Sequence, residues 1–519
     1  MTQDTPKEKD AVQVAGRGVL YITFAKLWFM LTGWALVFGL PRIFKWASGG
    51  DADQGQVLFG AYKLVIMGVS FINNGIITGT IQAVSKFTSE DDTQADAVKR
   101  TALKVQGILG CSLSLVYIAF AGLIAGALQS PDLAYLMRLS AGIIAAYSIY
   151  AVFIGAFNGK RQFNRQALFD ITYATIKTAL IVGLAAAGFQ VLGTVLGFLI
   201  ASTLIMIAAA AVSGLGTDSG FPAKRYLRFA AVLIIYTFFL NLVMSIDLFL
   251  LKGLSSRLAL ADGISAEAAS EIGKALAGKY GAAQGLAFIP YQAILSIAFV
   301  AFPLISKVTF MGDQEKTKQY IGNAMRFSAI LIVGIATVFA ALPSQSLGLI
   351  FQPEYQVASK ALAVLTLGIA AYGLMVVGNT VLNGAGRPFK ALGVVLATLI
   401  AVTAGVLLFI YRAGPNDDAL TAAAAGSAAG MTVGMVLSGI VVYRQFGAFL
   451  PWRSAVRIVV ASGIALFAGR MMPNLGKVVT LAECAAVFAL YLVVLIVIRE
   501  FKKQDAEQLR RIVFRKNRP

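Results

Sequence analysis

The chain has 519 residues, of which 58% are apolar and only 13% charged, with a mean hydropathy of +0.77. A water-soluble domain of this length must cover its outside with charge, so a soluble fold is excluded and lipid is the solvent that fits. Lys and Arg outnumber Asp and Glu by 44 to 25, giving a net charge of +19, and the absence of histidine removes histidine-based catalytic triads and metal sites.

Met1 to Asp10 is polar and carries no cleavable-signal pattern. Apolar stretches of roughly the 20 residues that a helix needs to cross about 30 Å of hydrocarbon then follow one another along the chain. Six of them, at about 16–40, 57–82, 103–128, 134–157, 166–188 and 191–213, precede a basic linker at 214–228. Six more lie at about 229–252, 282–304, 324–343, 358–383, 391–411 and 421–443, and a last pair at about 454–471 and 478–498 leads into a basic tail. A β-barrel would show shorter alternating segments. The expected architecture is an all-α integral membrane protein with about 14 spans. Its parts are an N-terminus at 1–15, a first lobe at 16–213, a linker at 214–228, a second lobe at 229–444, the appended pair at 454–498 and a tail at 499–519.

The distribution of basic residues decides against nucleic acid as the reason for the charge. About 30 of the 44 lie on the side that holds the N-terminus, including Lys160, Arg161, Lys224, Arg225 and the tail, and about 11 on the other. Cationic loops resist translocation, so the basic side is expected to be cytoplasmic, with both termini inside and an even number of spans in the inner membrane. Lys502, Lys503, Arg510 and Arg511 in the tail would attract anionic membrane lipids. The longest outer connection, 253–279, has Glu267, Glu271 and Lys274 at helical spacing and predicts a short amphipathic surface helix. Cys111 and Cys484 fall in separate spans, which suits packing better than a disulfide.

The segment from Phe59-Gly60-Ala61 to Ser85-Lys86 aligns without gaps on the one from Tyr280-Gly281-Ala282 to Ser306-Lys307. A second pair, Asn158-Gly159 and Asn383-Gly384, has nearly the same offset. Spans one to six and seven to twelve therefore read as two six-helix copies in the same orientation, related by a pseudo-two-fold axis along the membrane normal, with two extra C-terminal helices. Transporters built this way place the substrate between halves that rock against each other.

These motifs, together with Asp247 in Ser245-Ile246-Asp247-Leu248, the loop Ile350-Phe351-Gln352-Pro353-Glu354-Tyr355 and Leu382-Asn383-Gly384 before Gly386-Arg387-Pro388, resemble the multidrug/oligosaccharidyl-lipid/polysaccharide (MOP) exporter superfamily. Within it, the chain looks like the polysaccharide-transporter flippases over nearly its whole length. The resemblance implies two six-helix lobes around a central cavity.

Charges inside apolar spans are the candidate site. Lys26, Lys63 and Lys177 lie in spans one, two and five, and Asp247 in span seven. Burying an ionised group at the bilayer centre costs at least roughly 2.5–3.5 kcal/mol on insertion scales, so such side chains face protein or water. Read functionally, the three lysines form a cationic path for a diphosphate head group, the ammonium holding a phosphate as a point charge and letting it go again. Lys63 lies near enough to the outer boundary to snorkel, and Asp170, Tyr173 and Lys177 share a helix face that would equally serve a structural network. Asp247 can serve as a cation or proton site, or pair with Lys63 to close the outer mouth. Asn74, Asn241 and Gln284 are the polar residues expected to line the cavity, with helix–helix bonding as their plain alternative.

The resemblance implies a flippase that carries undecaprenyl-diphosphate-linked oligosaccharide from the inner to the outer leaflet by alternating access, serving cell-surface polysaccharide biosynthesis. Its expected partners are the lipid-linked oligosaccharide, anionic lipids and the polysaccharide polymerase machinery. Two readings from the same superfamily stay open, a lipid II flippase and a cation-coupled multidrug exporter. No cofactor or metal is implied, and coupling to H+ or Na+ is compatible with the chain. A membrane-embedded glycan polymerase or ligase is disfavoured because the loops are short and offer no histidine. No phosphate-binding loop is present, so ATP is not expected to power the chain.

Overall fold

The computed structural model describes residues 6–216, 220–292, 314–473 and 476–501. All the regular structure among these residues is helical. Among the described residues, twelve segments are long and apolar enough to cross a membrane. One of them, Phe163–Ser213, holds the fifth and sixth expected spans, so thirteen of the fourteen are accounted for. The eighth, 282–304, falls largely outside the described residues, as do the repeat motif from Phe302 to Lys307 and the tail beyond 501. The protein is a multi-pass, all-helical membrane protein.

Two compact units divide the chain, one made of Met1–Gly281 with Ile410–Ala419, the other of Ala282–Phe409 with Leu420–Pro519. The first contains α1 (Pro6–Ala47), α2 (Ala52–Glu90), α3 (Ala95–Ala127), α4 (Leu133–Gly159), α5 (Phe163–Leu184), α6 (Gln190–Ser213), α7 (Ala223–Val243) and α8 (Ile246–Ala261). It also holds most of α9 (Ala266–Ala287). Asp51 caps α2 by accepting the amides of Asp53 at 2.9 Å and Gln54 at 3.1 Å, two of the donors a helix start leaves unpaired. At 39 residues, α2 outruns the bilayer and extends past the expected span into the connecting loop.

The Asn-Gly motif has a local reason. Ser85 Oγ donates to Asn158 Oδ1 at 2.9 Å, and Asn158 Nδ2 donates to Gln166 Oε1 at 3.0 Å, joining α2, α4 and α5 at one level. Gly159 brings α4 so close to α2 that a Cβ there would lie 2.6 Å from Thr88 Cβ and 2.9 Å from the Ser85 carbonyl. Beside this contact Val84, Phe87, Val98, Val152, Ala156 and Tyr226 form a buried core. Lys86 covers one edge of it, its ammonium 4.1 Å from the centre of the Phe229 ring.

Two departures from the expected spans have physical causes. The stretch at 229–252 is broken at Met244–Ser245 into α7 and α8, where Ser245 Oγ turns back to the Asn241 carbonyl at 3.1 Å. Between α5 and α6 the chain reverses through 185–189, with Gly188 at φ 98°, a conformation that a Cβ disfavours. The helix expected within 253–279 is present as α9, but Lys274 is buried and paired with Asp132 at 2.5 Å rather than displayed on the surface.

The second unit contains α10 (Gln314–Ala341), α11 (Pro343–Ile350), α12 (Ser359–Gly384), most of α13 (Pro388–Ala413) and α14 (Asp418–Phe446), α15 (Trp452–Arg470) and α16 (Lys477–Val497). The appended pair, α15 and α16, packs on α10. Thr337 and Ser462 hydroxyls lie 2.7 Å apart, and Tyr491 OH donates to the Ile330 carbonyl at 3.0 Å. Past the end of α16, the Glu500 carboxylate meets Arg326 Nε at 2.7 Å and Arg457 NH1 at 3.1 Å.

Candidate functional site

The polar interior of the first unit is set by the register of α1 against α5. Trp28 Nε1 donates to Thr175 Oγ1 at 3.0 Å, and the Phe29 ring stacks on Tyr173 with centroids 6.3 Å apart. Those contacts bring Lys26, about one helical turn earlier, beside Asp170, close enough for the two charges to interact. α4 adds Tyr147 and Tyr150, whose rings lie 5.2 and 5.9 Å from Tyr173, and α6 adds Ser202, 3.4 Å from the Tyr173 hydroxyl. One carboxylate, one ammonium and three phenols thus converge from α1, α4 and α5.

The three candidate lysines have three different settings. Lys26 remains exposed. The Lys177 ammonium sits in an aromatic cage, 4.4 Å from the Phe29 centroid, 5.4 Å from Tyr173 and 5.5 Å from Phe198, and the residue is 8% exposed. Such cation–π contacts give roughly 0.5–2 kcal/mol when desolvated and explain how a lysine tolerates this depth. Lys63 is half-buried, its stem packed on Gly281 and its ammonium 5.6 Å from the centre of the Phe59 ring.

Asn74 and Asn241 meet directly, Asn74 Nδ2 donating to Asn241 Oδ1 at 3.1 Å, while Asn241 Nδ2 donates to the Thr237 carbonyl at 2.8 Å. Asn74 is nonetheless exposed. Asp247 is fully buried in the first turn of α8, where the helix dipole favours a carboxylate. Its oxygens accept the Tyr280 hydroxyl at 2.6 Å and the Leu248 amide at 2.8 Å. Gln284 is buried in the second unit.

Sequence reading passed over Tyr147 and Tyr150 as contributors, and treated Asp170 as a neighbour of Lys177 rather than of Lys26. Their spacing in an apolar helix was visible, but their convergence depends on how α1, α4 and α5 pack. The second unit offers a different feature, an apolar groove of about 440 Å³ whose walls include Val338, Phe339, Leu481, Cys484 and Phe488. Among the described residues no group of three Cys, Asp or Glu side chains is placed to hold a metal ion.

Residues 55–309 match the model of the family described as polysaccharide biosynthesis protein. The fold is similar to a lipid II flippase, MurJ, in an inward closed conformation, with a TM-score of 0.69 and 15% identity over 96% of this chain and 99% of that one. It is also similar to an inward-facing multidrug-resistance MATE transporter of the MOP superfamily, with a TM-score of 0.62 and 16% identity over 82% of this chain and 94% of that one. A Pyrococcus furiosus transporter of the same superfamily, described as having a binding pocket of reversed polarity, gives a TM-score of 0.56 at 16% identity over 83% of this chain and 95% of that one. An uncharacterised membrane protein of Methanocaldococcus jannaschii is 27% identical over 93 residues, 18% of the length of each protein.

Proposed function

We propose that this chain, whose residues 55–309 match the polysaccharide biosynthesis family and whose fold is similar to that of MOP-superfamily transporters, is a flippase for undecaprenyl-diphosphate-linked oligosaccharide, moving it from the inner to the outer leaflet by alternating access. The observation that carries the reading is Lys26. It is an exposed ammonium within an apolar stretch of α1, which Trp28 and Thr175 hold in register with α5, and it is accompanied by Asp170. A diphosphate crossing hydrocarbon needs a cation that can be reached and then released, and a lysine in a low-dielectric, wetted site supplies one. Lys63 offers a second ammonium, and the exposed Asn74 amide a group that can hydrogen-bond sugar hydroxyls.

The groove in the second unit supports a lipid-linked cargo over a small soluble one. Its walls are apolar apart from Ser346 and Cys484, which suits an isoprenoid chain that has no hydrogen-bonding groups to satisfy.

The test is the leaflet distribution of labelled polyprenyl-diphosphate oligosaccharides in cells depleted of the protein and complemented with wild type or Lys26→Ala. Inner-leaflet accumulation relieved by the wild type and not by Lys26→Ala is expected. Unchanged sidedness on depletion would overturn the reading and redirect attention to cation-coupled export of small molecules.

A further inference from the structure

The basic side of the second unit carries a concentration of charge where α12 turns into α13. Arg387 NH1 and Lys390 Nζ donate to one atom, Gln445 Oε1, at 2.6 and 2.7 Å. The two cations can be no farther apart than the sum of those distances, and what lies between them is a neutral amide oxygen. Other cations on the basic side meet carboxylates, as Lys160 meets Asp96 at 3.1 Å, Arg225 meets Glu90 at 2.9 Å and Lys318 meets Glu315 at 2.8 Å. Among the described residues neither Arg387 nor Lys390 has an acidic partner. Arg444, exposed in the last turn of α14, adds a third positive group.

Helix dipoles do not neutralise this charge. Arg387 directly precedes α13 and Lys390 stands in its first turn, which has no acidic residue, and the start of a helix disfavours cations. The carbonyl end of α14 beside Gln445 returns about half a charge, which cancels the start of α13 and leaves three positive side chains over. A phosphate oxygen in the place of Gln445 Oε1 would take both donors as charge-assisted bonds, roughly twice as strong as bonds to a neutral oxygen.

The surroundings fit a phosphate carried by a lipid rather than a free one. α13 and α14 are tightly crossed neighbours, since a Cβ on Gly426 or Gly430 would overlap the main chain of Val406 or Val402. On the other face of α14, Val433, Val436, Ile440 and Tyr443 recur at helical spacing and all are exposed, an apolar stripe that runs up to Arg444. Phe389, which lies between the two converging cations in sequence, is 75% exposed. Aromatic rings at the end of a membrane helix sit at headgroup level, so these cations lie where a phosphate diester meets its acyl chains.

We propose that the α12–α13 turn and the end of α14 bind the headgroup of an anionic phospholipid, Arg387 and Lys390 holding its phosphate and the α14 stripe one of its acyl chains. The site is separate from the basic tail, and it stands whatever cargo the protein carries.

The test uses the full-length protein in nanodiscs of phosphatidylcholine doped with a phosphatidylglycerol whose acyl chain bears a diazirine, with peptide mapping of the photoproduct. Labelling of the segment from Val433 to Tyr443 is expected. It should fall at least about five-fold in Arg387→Gln/Lys390→Gln and persist in Lys390→Arg. Lys224→Gln/Arg228→Gln removes the same charge from exposed positions of the first unit and should leave labelling of this segment unchanged. Because Arg387 and Lys390 are themselves exposed, folded yield should be unchanged in their variants. Equal labelling by a phosphatidylcholine probe, or an equal loss in Lys224→Gln/Arg228→Gln, would overturn the proposal by reducing the site to general lipid contact or general surface charge. Displacement of the probe by millimolar inorganic phosphate, or by a much smaller amount of polyprenyl diphosphate, would also overturn it, since the site would then take a free anion or the diphosphate of a carrier lipid.

Discussion

Arg326 and Glu500 meet at 2.7 Å with both side chains almost wholly buried, although 174 positions separate them. The contact fastens α10 to the short segment that follows α16, and it is reinforced on the other side by Arg457, which reaches both the second carboxylate oxygen and the Arg499 carbonyl at 3.1 Å. Removing one member of a buried pair leaves the other charge uncompensated, at a cost of about 3–5 kcal/mol. Glu500→Gln should therefore lower the melting temperature of the detergent-solubilised protein markedly. Combining it with Arg326→Met should recover part of the loss, because the stranded guanidinium is gone. A double variant no better than Glu500→Gln would mean that the pair does not fasten α10.

The same carboxylate makes stability depend on acid. Burial would raise the Glu500 carboxyl, but hydrogen bonds from Ser454, Arg326 and Arg457 outweigh it and hold the group below its ordinary value. A carboxyl depressed in the folded state contributes stability that is fully present above its unfolded value and lost as pH falls through the folded one. Melting temperature should thus drop as buffer is taken from neutral into the acidic carboxylate range. The drop should shrink in Glu500→Gln, which has nothing there to titrate, as paired thermal scans at several pH values would show.

Lys26 and Lys177 should part company on substitution. Lys26→Ala is expected to reduce transport at least ten-fold with normal folded yield, since the side chain is exposed and its loss opens no enclosed cavity. Lys177→Met keeps the apolar stem inside the ring of Phe29, Tyr173 and Phe198 while giving up cation–π contacts of about 0.5–2 kcal/mol. It should lower thermal stability modestly and leave most transport intact. Leaflet sidedness and melting curves on the two variants check this, and equal loss of transport in both would put Lys177 on the substrate path.

Gly159 predicts a packing cost. Alanine there would push into Thr88 and the Ser85 carbonyl, and overpacking of this kind typically costs about 1–3 kcal/mol. The variant should melt lower than the wild type, while Gly126→Ala, whose Cβ would meet nothing within 4 Å, should not.

The sequence made the helices legible because lipid imposes a length and an apolar composition that any stretch of chain displays locally. It did not display the break at Met244–Ser245, because the interruption falls inside an apolar run with no Gly or Pro to mark it. Lys252 sat at the end of an expected span, where an ammonium looks like one reaching for the interface, and only the fold shows it enclosed by carbonyls of another helix end. Lys26 and Lys177 were found by their depth in apolar stretches, but the difference between them comes from Phe29 and Phe198, rings on two other helices. Pairings such as Arg326 with Glu500 depend on packing between distant segments, which composition does not encode.

The reversal at Gly188 bears on how the protein is made. Residues 185–189 are apolar or small, so α5 and α6 present no charge that must cross the bilayer between them. They can leave the translocon laterally as a closed hairpin, with both ends on the side of synthesis and no step in which a polar loop is threaded through lipid. A bulky residue at position 188 would oppose that closure while the chain is still emerging, so its effect should be read in insertion efficiency on the ribosome before it is read in the finished transporter.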